Sequence, residues 1–161
     1  MLAEHFERGG RPESAVEWYL AAGQHALEGS DPDAAVARAQ RGIDGGASRE
    51  QRGHLRLLQA EASKWQGKNA DGQRFALDAM ECLRPESAEW CSAVAEAAVA
   101  SGKLGDLERC APLSQALLDV DAERRQSARA RHRSEPHHHA AGVGWRGRFS
   151  IATARACRSS R

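Results

Sequence analysis

Gly142-Val143-Gly144-Trp145-Arg146-Gly147 is a literal G-x-G-x-x-G. Such a loop cradles a pyrophosphate when it follows a strand and opens a helix, so that backbone N–H groups face the phosphates. No strand pattern precedes it here, and only 14 residues follow Gly147, too few for a phosphate loop of the kinase kind, which opens a long domain. His137-His138-His139, with His132 upstream, has the residue type that binds zinc or nickel. Consecutive imidazoles do not converge without a scaffold, so the run reads as an adventitious metal binder and no native metal site is expected. Cys82, Cys91, Cys110 and Cys157 form no C-x-x-C pair and read as small, reduced, partly buried residues. His5, His25 and His54 have no carboxylate or serine at a catalytic spacing. The acid pairs Asp31/Asp33 and Glu86/Glu89 fall at helix starts, where the macrodipole favours negative charge. The chain has no G-x-x-x-x-G-K-[ST], H-R-D, D-F-G, H-E-x-x-H or G-x-S-x-G motif, each of which places a specific group on phosphate, metal or acyl carbon. The expectation is a protein that is not an enzyme and holds no cofactor.

Charge divides the chain. Residues 124–161 hold ten arginines and a single acid, Glu135, for a net of +9, which leaves −8 on residues 1–123. From about Arg124 the helical period fades into Arg, His, Ser, Ala and Gly. Such a stretch buries too little apolar surface to offset its ordering entropy. We expect residues 122–161 to be a disordered Arg/His-rich tail, a composition that also fits an out-of-frame translation of a GC-rich gene. Trp145 and Phe149 interleave with Arg146 and Arg148, the pattern of a weak nucleic-acid binder.

The body that would have to position any site is helical in pattern. Ala, Leu, Glu and Arg dominate, and apolar residues recur at three and four. Breakers come at intervals: Gly9-Gly10-Arg11-Pro12, Gly29-Ser30-Asp31-Pro32, Gly45-Gly46-Ala47-Ser48, Gly67-Lys68-Asn69, Leu83-Arg84-Pro85-Glu86 and Ser101-Gly102-Lys103. They predict seven helices, the second starting at Pro12, the third capped by Ser30 or Asp31, and the last reaching about Asp121. An offset of 35 residues lays Ala60 on Ala95, Gly67 on Gly102, Ala76 on Ala111, Ala79 on Ser114 and Leu83 on Leu118. Two helices per unit with small residues at the crossings make a stack in which each hairpin buries its neighbour's apolar face.

Leu2-Ala3 then Phe6, followed by Ala15, Tyr19 and Ala22, resembles the tetratricopeptide order of apolar-small, aromatic, small, aromatic, small. The string from Leu2 to Gly10 with Ala15-Val16-Glu17-Trp18-Tyr19 is similar to repeat regions attached to large bacterial serine/threonine kinases and ATPase-type signalling regulators. The spacing from Ala15 to Ala35 is only 20 residues, which makes the second and third helices share a unit irregularly. The resemblance implies an all-α fold over residues 1–121, a TPR-like α-solenoid of stacked antiparallel hairpins, and a regulatory or scaffolding role in binding protein. In such repeats the first helix of each hairpin lines a groove, which here implies partner contacts from His54, Leu57, Glu61 and Lys64 in one unit and Glu89, Ser92, Glu96 and Val99 in the next. A groove rich in glutamate suits a basic or amphipathic peptide segment. Trp18, Trp65 and Trp90 read as packing between hairpins, with a partner anchor as the alternative. The rival reading is self-association through an N-terminal edge of Leu2, Phe6 and Tyr19. The array begins without a polar cap, so further repeats or a catalytic domain are expected ahead of it in a longer gene product. Charge in the first turn and the lack of a long apolar run point to a cytoplasmic protein that does not meet the membrane.

Overall fold

A computed structural model of the chain describes residues 12–134, and the side chains of residues 15–129. The described residues are all helical: α1 (Pro12–Glu28), α2 (Pro32–Asp44), α3 (Arg49–Trp65), α4 (Asn69–Cys82), α5 (Ala88–Leu104) and α6 (Leu107–Ser134). The expected helix at the N-terminus, with Leu2 and Phe6, lies outside them. So do the glycine run 142–147, the histidine run 137–139 and Cys157.

The starts follow local chemistry. Pro12 opens α1 and Pro32 opens α2, where a missing N–H costs nothing. Of the two cap candidates it is Asp31 that caps α2, its carboxylate accepting from the Ala34 N–H at 3.0 Å. Ser48 and Gln51 make a reciprocal capping box at α3, and Ser87 accepts from the Trp90 N–H at 3.1 Å to start α5. Each such bond satisfies a donor that the first turn would otherwise leave unpaired.

Three turns share one backbone signature. Ser30, Gly67 and Gly105 have φ of 61°, 70° and 74°. Behind them Asp31, Lys68 and Asp106 donate to the carbonyls of Ala26, Ser63 and Ser101, the six-to-one bond that closes a helix on a left-handed residue. These turns are 37 and then 38 residues apart. They join α1 to α2, α3 to α4 and α5 to α6. The offset of 35 is therefore corrected. Gly67 matches Gly105, whereas Gly102 still lies inside α5. Residues 12–28 pair with 32–44 in one hairpin, the two helices expected to share a unit. The unit lengthens by one because α4 and the loop after it are each one residue longer than α2 and its loop, while the turn after α5 comes one residue sooner than that after α3.

Consecutive helices pack along their lengths, and α3 also packs on both α1 and α5. Alanine carries much of this core: Ala35, Ala39, Ala76, Ala79, Ala93 and Ala97 are wholly buried. Small side chains let helix axes approach, and larger anchors fill what remains. Val16, Leu55 and Leu58 join α1, α2 and α3. Phe75, Val94 and Leu113 join α4, α5 and α6. One close approach is at Gly53, where a Cβ would lie 2.7 Å from Leu83 Cγ. A side chain there would have to push α3 and the end of α4 apart.

The last helix does not stop near Asp121. It continues through Ser134, so the first part of the expected tail is helix. Arg124 explains part of this, because its guanidinium donates to the Glu86 carbonyl at 2.7 Å and ties the extension back to the turn before α5. Arg125 pairs with Asp121 one turn back at 2.7 Å. Among the described residues no helix is long and apolar enough to cross a membrane.

Candidate functional site

The sequence-predicted residues lie on two adjacent helices, with His54, Leu57, Glu61 and Lys64 on α3 and Glu89, Ser92, Glu96 and Val99 on α5. Because α3 packs directly on α5, the two sets meet. The Lys64 ammonium forms an ion pair with the Glu96 carboxylate. At the other end His54 is close enough to Glu89 to attract it electrostatically. The Glu89 carboxyl is held below the usual carboxylate range. The cause is first the backbone N–H at the start of α5, then the Ser87 hydroxyl, and last His54 when protonated. Unlike the others, Leu57 turns inward and packs against the cluster of Ala79, Leu83 and Ala93. Glu61, Ser92 and Val99 stand exposed, Val99 at 48%.

Two of the three predicted glutamates, Glu61 and Glu96, therefore differ in kind. Glu96 is neutralised within the chain, whereas Glu61 makes no ion pair or hydrogen bond among the described residues. The reason lies in what surrounds each. Glu96 faces Lys64 across the α3/α5 junction. Glu61 faces α1, whose nearest contributions are Gln24, Leu27 and Glu28.

At that α1/α3 junction the structure forms a cleft of about 810 Å³. Leu27 and Leu58 make its floor, and both belong to the core cluster that joins the two helices. Pro32 and Ser30 close the end nearest the turn, and Trp65 forms a wall. The indole is 71% exposed, so the expectation that it packs between hairpins is corrected: at the last residue of α3 it borders the open cleft. Trp18 is also exposed, at 42%. Trp90, in contrast, packs into two core clusters as expected.

Sequence reasoning placed Glu61 in a groove and gave Trp65 a partner-anchor role as an alternative, but missed Leu27 and Leu58 as the lining. The signal was Glu61 and Trp65 at i and i+4, one turn apart on the face that also carries Leu58. The floor from α1 was hidden because it depends on how α1 packs on α3, which no local pattern shows. Three histidine, cysteine or carboxylate groups that could share a metal ion are not found together among the described residues. Nothing in the site pairs a nucleophile with a base. What the arrangement offers is an apolar slot with a carboxylate rim and one aromatic face. No protein-family model matches the chain, and no curated protein or solved structure matches it either.

Proposed function

We propose that this protein is a protein-interaction module, a TPR-like α-solenoid whose α1, α3 and α5 form the face that holds a basic or amphipathic segment of another protein. The observation that carries the reading is the side-by-side packing of these three helices with Glu61, Trp65 and Val99 exposed on them. Adjacent first helices of successive hairpins make a continuous surface, and an acidic surface with an aromatic on it favours a cationic, partly apolar ligand. The resemblance in Leu2–Tyr19 fits a regulatory or scaffolding part of a bacterial signalling protein.

The experiment is an array of basic amphipathic peptides probed with the purified chain and with its Glu61→Lys/Glu96→Lys variant. Bound peptides should be lost in the variant. Retention of every bound peptide at full strength would move the binding face elsewhere.

Self-association is a second reading, carried by a different edge from the one expected. Tyr19 is only 4% exposed and cannot form that edge, whereas Leu104, Leu107 and Leu118 near α5 and α6 are 45%, 71% and 62% exposed. A molar mass by light scattering that rises with concentration, and no longer does so in Leu107→Lys/Leu118→Lys, would support it.

A further inference from the structure

The two junctions flanking α3 are equivalent places in successive hairpins. Leu27, Pro32, Leu58, Glu61 and Trp65 at the α1/α3 junction correspond, at the 37- or 38-residue spacing of the turns, to Lys64, Asn69, Glu96, Val99 and Lys103 at the α3/α5 junction. The second junction encloses only about 10 Å³, because the Lys64 side chain lies across it with its ammonium on Glu96. The chain thus shows what this kind of junction accepts: an aliphatic stem laid over the helix contact with a cationic end on a carboxylate.

At the first junction both members of that pair are leucines, and the carboxylate has moved to the rim as Glu61, with Glu28 opposite and Trp65 beside it. We propose that the α1/α3 cleft binds an arginine side chain presented by a partner protein, together with one apolar neighbour on the same segment. The proposal rests on the interaction-module reading and names the ligand chemistry of that face. The methylenes of the arginine would lie on Leu27 and Leu58, and the guanidinium would stack on the Trp65 indole between Glu61 and Glu28. Arginine is preferred to lysine because a planar, weakly hydrated guanidinium both stacks on an aromatic face and offers a fork of donors to carboxylates. A cleft of about 810 Å³ exceeds one side chain, which is why a flanking apolar residue belongs to the ligand. Residues 1–123 carry a net of −8 and residues 124–161 a net of +9, so the attraction for a cationic ligand is local to the helical body.

The test is fluorescence anisotropy of the full chain with a fluorescein-labelled amphipathic peptide built from leucine, alanine and arginine, and with the same peptide carrying citrulline for arginine. Citrulline keeps shape and removes charge. The arginine peptide should bind at least about tenfold more tightly than the citrulline peptide. Trp65→Ala and Glu61→Gln should each weaken it by roughly fivefold or more, with Glu61→Gln also flattening its salt dependence. Both positions are exposed, and circular dichroism checks that the variants remain folded. Glu108→Gln, at an exposed position on α6, should leave the affinity unchanged. Equal binding of the two peptides would overturn the proposal by making the cleft a purely apolar site. Binding that ignores Trp65→Ala and Glu61→Gln but is lost in Val99→Lys would overturn it while leaving the interaction face in place. Binding seen only after Arg146→Gln/Arg148→Gln would assign the cleft to the chain's own C-terminal segment and overturn a partner in trans. No binding by any of these chains, with no peptide held on the array, would overturn both readings.

Discussion

The α1/α3 and α3/α5 junctions are built on the same turn geometry and the same helix order, yet one holds a cleft of about 810 Å³ and the other about 10 Å³. The difference comes from two positions. Where the first has Leu27 and Leu58, the second has Lys64 and Glu96. Leucines are short and stay on the floor, packed with Val16 and Leu55. Lysine is long, and its pairing with glutamate pulls it across the gap. Repetition of the backbone therefore does not imply repetition of the site. A set of packed helices can close one junction and leave the next open by exchanging two side chains.

The largest test of this contrast is to truncate the equivalent residues. Leu58 is 5% exposed and joins α1 to α3, so Leu58→Ala should cost about 2–4 kcal/mol, from lost burial plus a cavity. Glu96→Ala removes only a partly exposed ion pair and should cost roughly 0.5–1 kcal/mol. Urea unfolding of the two variants measures both. Similar costs would mean that the ion pair holds α3 to α5 as firmly as the leucines hold α1 to α3. Replacing the pair by Lys64→Leu/Glu96→Leu should leave stability within about 1 kcal/mol of the starting protein and open the second junction to a hydrophobic dye.

A middle-sized effect comes from two helical glycines on either side of the α3/α4 contact. A Cβ on Gly53 would lie 2.7 Å and 2.8 Å from two atoms of Leu83, so Gly53→Ala should destabilise by about 1–3 kcal/mol. A Cβ on Gly72 would meet its nearest atoms at 3.6 Å, ordinary contact, and Gly72→Ala should stabilise by about 0.5–1 kcal/mol because alanine is the better helix former. Thermal melts of the pair should move in opposite directions. If both fall, the fit around α4 is tighter than these distances allow.

Much of the fold was legible because its signals are local. Pro12, Asp31-Pro32, Ser48 and the glycine at 67 punctuate the chain where helices start and stop. The register of the repeat was not, since it depends on which glycine takes the left-handed turn. Gly102 and Gly105 are equal candidates in a sequence, and only the packing of α5 chooses between them. The end of α6 was missed for a related reason. Arg124 reads as a charge in a solvated run until its bond to the Glu86 carbonyl is seen. For the site, the resemblance grouped Glu61 with Lys64 and Glu96 with Val99, and the structure sets the two groups on adjacent packed helices. The pairing of Lys64 with Glu96 was not legible, because it depends on how far α5 slides along α3.

The smallest effect sharpens the α3/α5 side alone. Glu89 sits in the first turn of α5, and its folded-state carboxyl titrates below the usual range, chiefly through the helix-start N–H and then through Ser87. A depressed folded-state value means that the interaction stabilises the protein above the pH where an unfolded glutamate ionises, and that this contribution fades as pH falls through the folded-state value. Glu89 is fully exposed, so the gain is a small one, and carbon-detected NMR of its carboxyl reads it better than unfolding. Ser87→Ala should raise the midpoint toward the ordinary range. His54→Ala should raise it less, since His54 is the smallest of the contributions that lower it. If His54→Ala moved the midpoint further than Ser87→Ala, the contact across α3 and α5 would outweigh the cap, and the acidic end of this junction would be tied to α3 at both of its ends rather than at Lys64 alone.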